Sequence, residues 1–234
     1  MTGRLHSIQS LGTLDGPGVR TVVFLQGCPL RCAYCHNPDT WNPDGGSEIT
    51  PEELLDKLLR YKPYYKQRGG VTFSGGEPLM QAAFVRQTAG LCRKNGIHVA
   101  MDTSGCIWNA EVASLLDVVN LLLLDIKMPT EAAYRKLTGG SLRQTMQFLE
   151  QAQRRGIAVW IRHVVVPGLN DHADAVLSVK ALVKPYTCVE KIELLPFRKL
   201  CLEKYRQMGI SFPLADTGEM DGELLKRLQQ LIEN

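Results

Sequence analysis

Gly70-Val71-Thr72-Phe73-Ser74-Gly75-Gly76-Glu77-Pro78 decides the fold. A short β-rich run stops at two glycines, Pro78 follows where the first turn of a helix would begin, and helical periodicity continues over 80 to 95. Strand, tight polar connection and helix form the unit that builds parallel sheets. Taken alone, Gly75-Gly76 reads either as a turn into that helix or as a strand end stripped of side chains so that a ligand can approach the backbone.

The same grammar repeats on both sides of this unit. β-rich apolar runs occur at 20 to 26 (RTVVFLQ), 97 to 102 (IHVAMD), 120 to 127 (NLLLLDIK), 158 to 166 (AVWIRHVVV) and 189 to 197 (VEKIELLPF). Helical patterns lie at 109 to 117, 130 to 138, 142 to 155, 171 to 183 and about 221 to 233. Another helix opens at Thr50, a candidate N-cap, with Pro51 at its first position and Glu53 completing a capping box. Six βα units are too few for the eight-stranded closed barrel. The expected fold is α/β, a partial, open (β/α)6 TIM-like barrel in one domain over residues 1–234, with residues 198 to 220 irregular.

In such folds ligands gather where the strands end. The polar insertions fall there: GCPLRCAYC after the first run, SGGEP after the second, DTSG after the third, DIK at the end of the fourth, PGLND and PFR after the fifth and sixth. Asp125 and Lys127 stand two apart on an otherwise apolar strand, so both point to one face, either as a mutual ion pair or as pocket groups.

Composition removes several functional classes. Net charge is only +3, from 27 basic and 24 acidic side chains, with no basic run or basic-aromatic stripe, so nucleic-acid binding has no support. The most apolar stretch, VVNLLLLDI, is far shorter than the roughly 20 residues of a membrane span, and the N-terminus lacks the form of a secretory signal. Seven unevenly clustered cysteines argue against a secreted disulfide framework, which leaves a cytoplasmic enzyme as the expectation.

Cys28, Cys32 and Cys35 follow a Cys-x3-Cys-x2-Cys pattern in the loop 27–38, broken by Pro29 and Pro38. Thiolates so close together can converge on a soft metal centre. Cubane clusters and structural zinc ordinarily take four protein ligands. His36 would complete a Cys3His zinc site, although a residue adjacent to Cys35 reaches the same ion poorly. An incomplete set has the logic of a catalytic site with an open position.

The cysteine pattern, with Tyr34 just before the third cysteine, resembles the radical S-adenosylmethionine (SAM) superfamily, and Gly75-Gly76-Glu77-Pro78 resembles its second element. DGPGVR (15 to 20), YCHNPDTW (34 to 41), VTFSGGEP (71 to 78), DTSG (102 to 105), LDIK (124 to 127), VWIRHVVVPG (159 to 168) and VEKIELLPF (189 to 197) narrow the resemblance to the family of pyruvate formate-lyase activating enzymes. Related activases often carry a ferredoxin-like insert after the cysteine motif; here Trp41 leads within about ten residues into the Thr50 helix.

The resemblance implies a barrel of the radical SAM type, a [4Fe-4S] cluster on Cys28, Cys32 and Cys35, and SAM bound at the iron they leave free. It implies SAM contacts from Tyr34, Cys35, His36, Gly76, Asp125, Ile126, Lys127 and Arg162. It further implies a monovalent cation held by Asp102, Thr103 and Asp125. Asp15, Gly16, Arg20 and His36 would clamp the glycine-containing loop of pyruvate formate-lyase, although DGPGVR by itself is a good tight turn and His36 could be a surface histidine. Arg198 stands where the family commonly has histidine near the adenosine, and could stack on adenine or contact ribose. The electron would come from a small protein such as flavodoxin or ferredoxin. Hydrogen-atom transfer needs no side-chain acid or base, and none is assigned.

Overall fold

The computed structural model describes residues 1–233; Asn234, the last residue of the expected domain, lies outside them. Six strands run parallel and in chain order: β2 (Arg20–Leu25), β4 (Gly70–Gly75), β5 (His98–Thr103), β6 (Leu121–Asp125), β7 (Ala158–Val165) and β8 (Val189–Pro196). These are the six expected runs. The sheet does not close, because its terminal strands have no mutual ladder.

Two strands extend it beyond the expected set. β1 (Gly3–Gly12) pairs antiparallel with β2, and β3 (Ser47–Ile49) pairs antiparallel with β1, giving the order β3-β1-β2-β4-β5-β6-β7-β8. β1 reads GRLHSIQSLG and is largely half-exposed, so it lacks the dense apolar signal of the parallel strands, which are covered on both faces.

Strand alternation separates two environments. Leu122, Leu124 and Ile126 point to the helices and join an apolar core that runs from Leu5 to Ile232. Leu121 and Leu123 point inward and pack with Ala100 of β5, beside Ala158 and Trp160 of β7. Continuing that inner row by two residues brings Asp125, then Lys127, to the open end of the barrel.

The helices are α1 (Pro51–Leu59), α2 (Lys62–Tyr65), α3 (Ala82–Lys94), α4 (Ala110–Leu116), α5 (Glu131–Thr138), α6 (Leu142–Arg154), α7 (Ala173–Val183), α8 (Leu202–Gln207) and α9 (Gly222–Glu233). Thr50 caps α1 as expected: its Oγ1 accepts from the Glu53 N–H at 3.2 Å, and Glu53 Oε2 accepts from the Thr50 N–H at 2.8 Å. α9 covers the exposed edge of β8, where the Gln229 side chain accepts from the Leu194 N–H and donates to the Ile192 carbonyl. The stretch 198 to 220 is not wholly irregular, since it contains α8.

Candidate active site at the open end of the barrel

The loops after the parallel strands enclose a cavity of about 270 Å³. The cysteine loop after β2 supplies Cys28, Cys32, Tyr34, Cys35 and His36; β4 and its loop supply Ser74, Gly75, Gly76 and Glu77. β5 contributes Asp102 and Thr103, β6 Asp125 and Lys127, and β7 Arg162, while Asp15 enters from the turn before β2. The sheet thus gathers residues spread from 15 to 196 around one cavity.

Close backbone packing explains the two glycines. Gly75 has φ +107°, and a Cβ there would lie 2.3 Å from the Leu25 nitrogen; a Cβ on Gly76 would lie 2.2 Å from the Gly27 carbonyl oxygen. The Gly76 N–H donates to the Leu25 carbonyl at 2.9 Å and the Glu77 N–H to the Gly27 carbonyl at 2.7 Å, which sutures this loop to the start of the cysteine loop. Glu77 is buried and turns beneath the cavity floor. Its carboxylate accepts from the Thr103 hydroxyl at 2.6 Å and from the Ser104 hydroxyl and N–H at 2.6 and 3.0 Å, so three successive loops form one unit. Burial raises its pKa, and these hydrogen bonds oppose the rise.

Across the cavity, Arg162 stands between two carboxylates, with Nη1 3.5 Å from both Asp15 Oδ1 and Asp102 Oδ1. Burial would lower its pKa, but Asp102, Asp125 and Asp15 outweigh that and raise it. Burial likewise pushes Asp15 and Asp102 above the usual carboxylate range. Asp102 is oriented by the Ser74 hydroxyl, which donates to Oδ2 at 2.7 Å. Lys127 pairs with Asp125 and lies 5.9 Å from the Tyr34 ring centroid. Burial works against its charge, yet Asp125 holds it well above the ordinary lysine value.

The three thiols are soft donors on one wall. Burial is the main cause that raises Cys28 to about 12 and Cys32 to about 11, and it raises Cys35 as well. Thiolate ligation therefore needs a cationic centre to displace the protons. Among the described residues, no three His, Cys, Asp or Glu side chains converge at the spacing of one ion. A cubane cluster is itself an extended body whose corners keep their ligands apart, so three thiols that line one cavity without converging on a point suit it better than they suit zinc. His36 Nε2 donates instead to the Arg198 carbonyl at 2.8 Å, toward the C-terminal segment.

A second observation supports a bound group. Five buried side-chain polar atoms among the described residues lack a hydrogen-bond partner: Tyr34 Oη, Trp41 Nε1, Asp102 Oδ1, Arg162 Nε and Tyr205 Oη. Tyr34, Trp41, Asp102 and Arg162 line the cavity, and Tyr205 packs edge-on against Trp41 with ring centroids 6.1 Å apart. Unsatisfied buried polar groups are costly, so their concentration here marks where another molecule's polar atoms belong. Asp102, Thr103 and Asp125 line the same cavity, where Asp102 Oδ1 faces the Arg162 guanidinium at 3.5 Å and Asp125 pairs with Lys127.

Four sequence candidates do not reach the cavity wall with their side chains. Ile126 points into the helix-side core, and its backbone N–H and carbonyl are taken by the Arg162 carbonyl and the His163 ring. Gly16, with φ +112°, shapes the turn beside Asp15 rather than lining the cavity. Arg20 is fully buried, and its guanidinium donates to Thr72 Oγ1 at 2.6 Å, the Val71 carbonyl at 2.5 Å and the Pro17 carbonyl at 3.1 Å. It staples the 15–18 turn from inside and presents no surface to a partner protein. Arg198 turns away, donating to the Met220 carbonyl at 2.7 Å and lying 3.6 Å from Glu219 Oε2. Sequence reasoning in turn passed over Ser74, the buried role of Glu77, and Trp41.

The Radical SAM superfamily matches residues 22–178 of the chain. The pyruvate formate-lyase-activating enzyme of Clostridium pasteurianum is 47% identical over 232 residues, 99% of this chain and 97% of its own. The pyruvate formate-lyase 1-activating enzyme of Escherichia coli K12 is 39% identical over 234 residues, 99% of this chain and 95% of its own. Among solved structures, Streptococcus suis SuiB bound to precursor peptide SuiA shares the fold, with a TM-score of 0.69 and 14% identity over 91% of this chain and 44% of that one. The chain belongs to the radical SAM superfamily and, within it, to the family of pyruvate formate-lyase-activating enzymes.

Proposed function

We propose that this chain activates pyruvate formate-lyase under anaerobic conditions by generating a glycyl radical on it. The carrying observation is the cavity where three thiols meet four buried side chains, each with one polar atom that lacks a hydrogen-bond partner, at the open end of a radical SAM barrel. When bound and reduced, the [4Fe-4S] cluster and SAM together supply a 5'-deoxyadenosyl radical that takes a hydrogen atom from a backbone glycine. The protein's part is to bind, orient and exclude water.

The places of the side chains around the cavity support the following roles. Cys28, Cys32 and Cys35 hold the cluster. The Gly76 backbone, Tyr34, the Asp125–Lys127 pair and Arg162 bind SAM, with Arg162 facing its carboxylate. Asp102, Thr103 and Asp125 hold a monovalent cation beside it. Asp15 and His36, at the cavity edge, meet the incoming glycine loop, while Arg20 and Arg198 act by holding the segments that bear them.

The electron comes from a small reductant protein such as flavodoxin or ferredoxin. No helix among the described residues is long and apolar enough to cross a membrane, and the seven cysteines are unpaired, as suits a reducing cytoplasm. Anaerobically reconstituted protein is expected to bind about four iron and four sulfide per chain. With SAM, reductant and pyruvate formate-lyase it is expected to give a glycyl radical signal by electron paramagnetic resonance. SAM cleavage without that signal rejects the assigned substrate, and one zinc without sulfide rejects the enzyme.

A further inference from the structure

His163 and Asn170 are buried and neither lines the cavity, yet they form a chain of hydrogen bonds that ends at Ile126, between the cavity residues Asp125 and Lys127. The ladder between β6 and β7 stops at Asp125 and Arg162. Beyond it, the Ile126 N–H donates to the Arg162 carbonyl at 3.0 Å, and His163 Nδ1 lies 2.6 Å from the Ile126 carbonyl oxygen. On the other side of the ring, Nε2 lies 2.8 Å from Asn170 Nδ2, which also donates to the Val164 carbonyl at 2.9 Å. Asn170 Oδ1 accepts from the Val166 N–H at 2.6 Å.

These contacts leave the ring one tautomer. A backbone N–H can only donate, so Val166 fixes which end of the Asn170 amide is oxygen and turns its NH2 toward His163. An amide NH2 donates, so Nε2 accepts and carries no proton. The proton therefore sits on Nδ1, which donates to the Ile126 carbonyl. Ile126 is fully buried, and both polar groups of its backbone are thus held by β7. Its carbonyl shares one rigid plane with the Lys127 N–H, so a carbonyl free to turn would carry the start of Lys127 with it.

We propose that His163 is a positioning residue for SAM: by gripping the Ile126 carbonyl through Nδ1–H it sets the direction of the Asp125 and Lys127 side chains, a role that rests on the assignment of those two to SAM. Asn170 acts one step further out, by fixing the tautomer that makes the grip. Calorimetric titration of SAM into reconstituted, unreduced protein compares wild type with His163→Leu and His163→Asn. Leucine removes the donor, whereas the amide of asparagine takes the place of ring Cγ and Nδ1 and restores it. The SAM dissociation constant is expected to rise on the order of tenfold in His163→Leu, the size of one buried hydrogen bond, and to return to within about threefold of wild type in His163→Asn. A His163→Leu protein that loads its cluster and binds SAM as wild type does overturns the proposal, as does a loaded His163→Asn protein that binds as weakly as the leucine variant.

If the leucine variant does not load its cluster, the wild-type chain decides. With 15N-labelled histidine, nuclear magnetic resonance of the reconstituted protein is expected to show one buried Nδ1–H, protected from exchange with solvent; His98 and His172 accept on Nδ1, and His36 donates through Nε2. That signal is expected to shift when SAM is added. Absence of a protected Nδ1–H, or one that bound SAM leaves unmoved, overturns the proposal. A reconstituted wild type that binds no SAM overturns the assignment of the pocket and this proposal with it; one that binds SAM while failing these tests overturns only the role of His163.

Discussion

Arg20 and His98 face each other inside the barrel, on the inner rows of β2 and β5. Among the described residues no carboxylate lies within ion-pair distance of Arg20; backbone carbonyls and Thr72 satisfy it, and burial, which Asp15 opposes, lowers its pKa to about 10. Its Nη2 lies 3.3 Å from His98 Nδ1, so the neutral imidazole accepts and a protonated one would oppose a buried cation. Burial first, then Arg20, lowers His98 from 6.5 to about 4. Between those values the unfolded chain takes up a proton that the folded chain refuses, so this contribution to stability is complete above pH 6.5 and lost as pH falls through 4. Melting temperatures measured from pH 7 to 4 should drop less in His98→Asn than in wild type, and parallel curves would reject this account. Gly76 makes the second residue-scale case. Its missing Cβ would meet a backbone oxygen that no rotamer change can move, so Gly76→Ala should cost about 1–3 kcal/mol in urea unfolding and weaken SAM binding. The role of Arg20 was not legible in the sequence, because a guanidinium's direction depends on which strand faces it. Arg20, at the start of the run 20 to 26, reads as a polar contact for a partner's loop until β4 and β5 enclose it.

At the scale of elements, β2, β4, β5, β6 and β7 were legible because burial on both faces forces continuous apolar runs, β8 through the apolar end of its run, and α1 because its capping box is local chemistry. β1 was not, since an edge strand with solvent on one side needs no such run, and α8 was not, since six residues hold too little periodicity to register. The site residues on strand ends were legible by the same logic: a charge at the end of an apolar strand stands out, as at Asp125. α8 has a role larger than its length. Lys204 donates to Asn37 Oδ1 at 2.9 Å and Asp39 Oδ1 at 3.0 Å, and His6 Nε2 reaches Asp39 Oδ2 at 3.0 Å, so the C-terminal segment and β1 both grip the end of the cysteine loop. A half-exposed ion pair contributes about 0–1 kcal/mol. Lys204→Ala should therefore leave global unfolding within about 1 kcal/mol of wild type, while iron passes faster from the reconstituted protein to a chelator. Equal rates of iron loss would show that this grip does not guard the loop. Thr50→Ala, by contrast, should cost about 1 kcal/mol and leave iron retention unchanged, because its cap serves α1 alone.

At the scale of the whole molecule, the site belongs to no single element. Its charged groups come from the turn before β2, β5, β6 and β7, its thiols from the loop after β2, and its floor from the suture of three loops by Glu77. A ligand spanning this cavity ties together segments that would otherwise separate on unfolding, so binding and global stability are linked. SAM at 100 times its dissociation constant adds about 2.7 kcal/mol to the folded state. For a chain of 234 residues that corresponds to roughly 5–10 °C in melting temperature, at about 2–4 °C per kcal/mol. Stripping the iron should remove most of this shift, because under the proposed assignment SAM would then keep only contacts with Asp125, Lys127, Arg162 and the glycine backbone. An equal SAM shift in loaded and stripped protein would mean that the side chains alone carry the affinity, and that the three cysteines take no part in holding SAM.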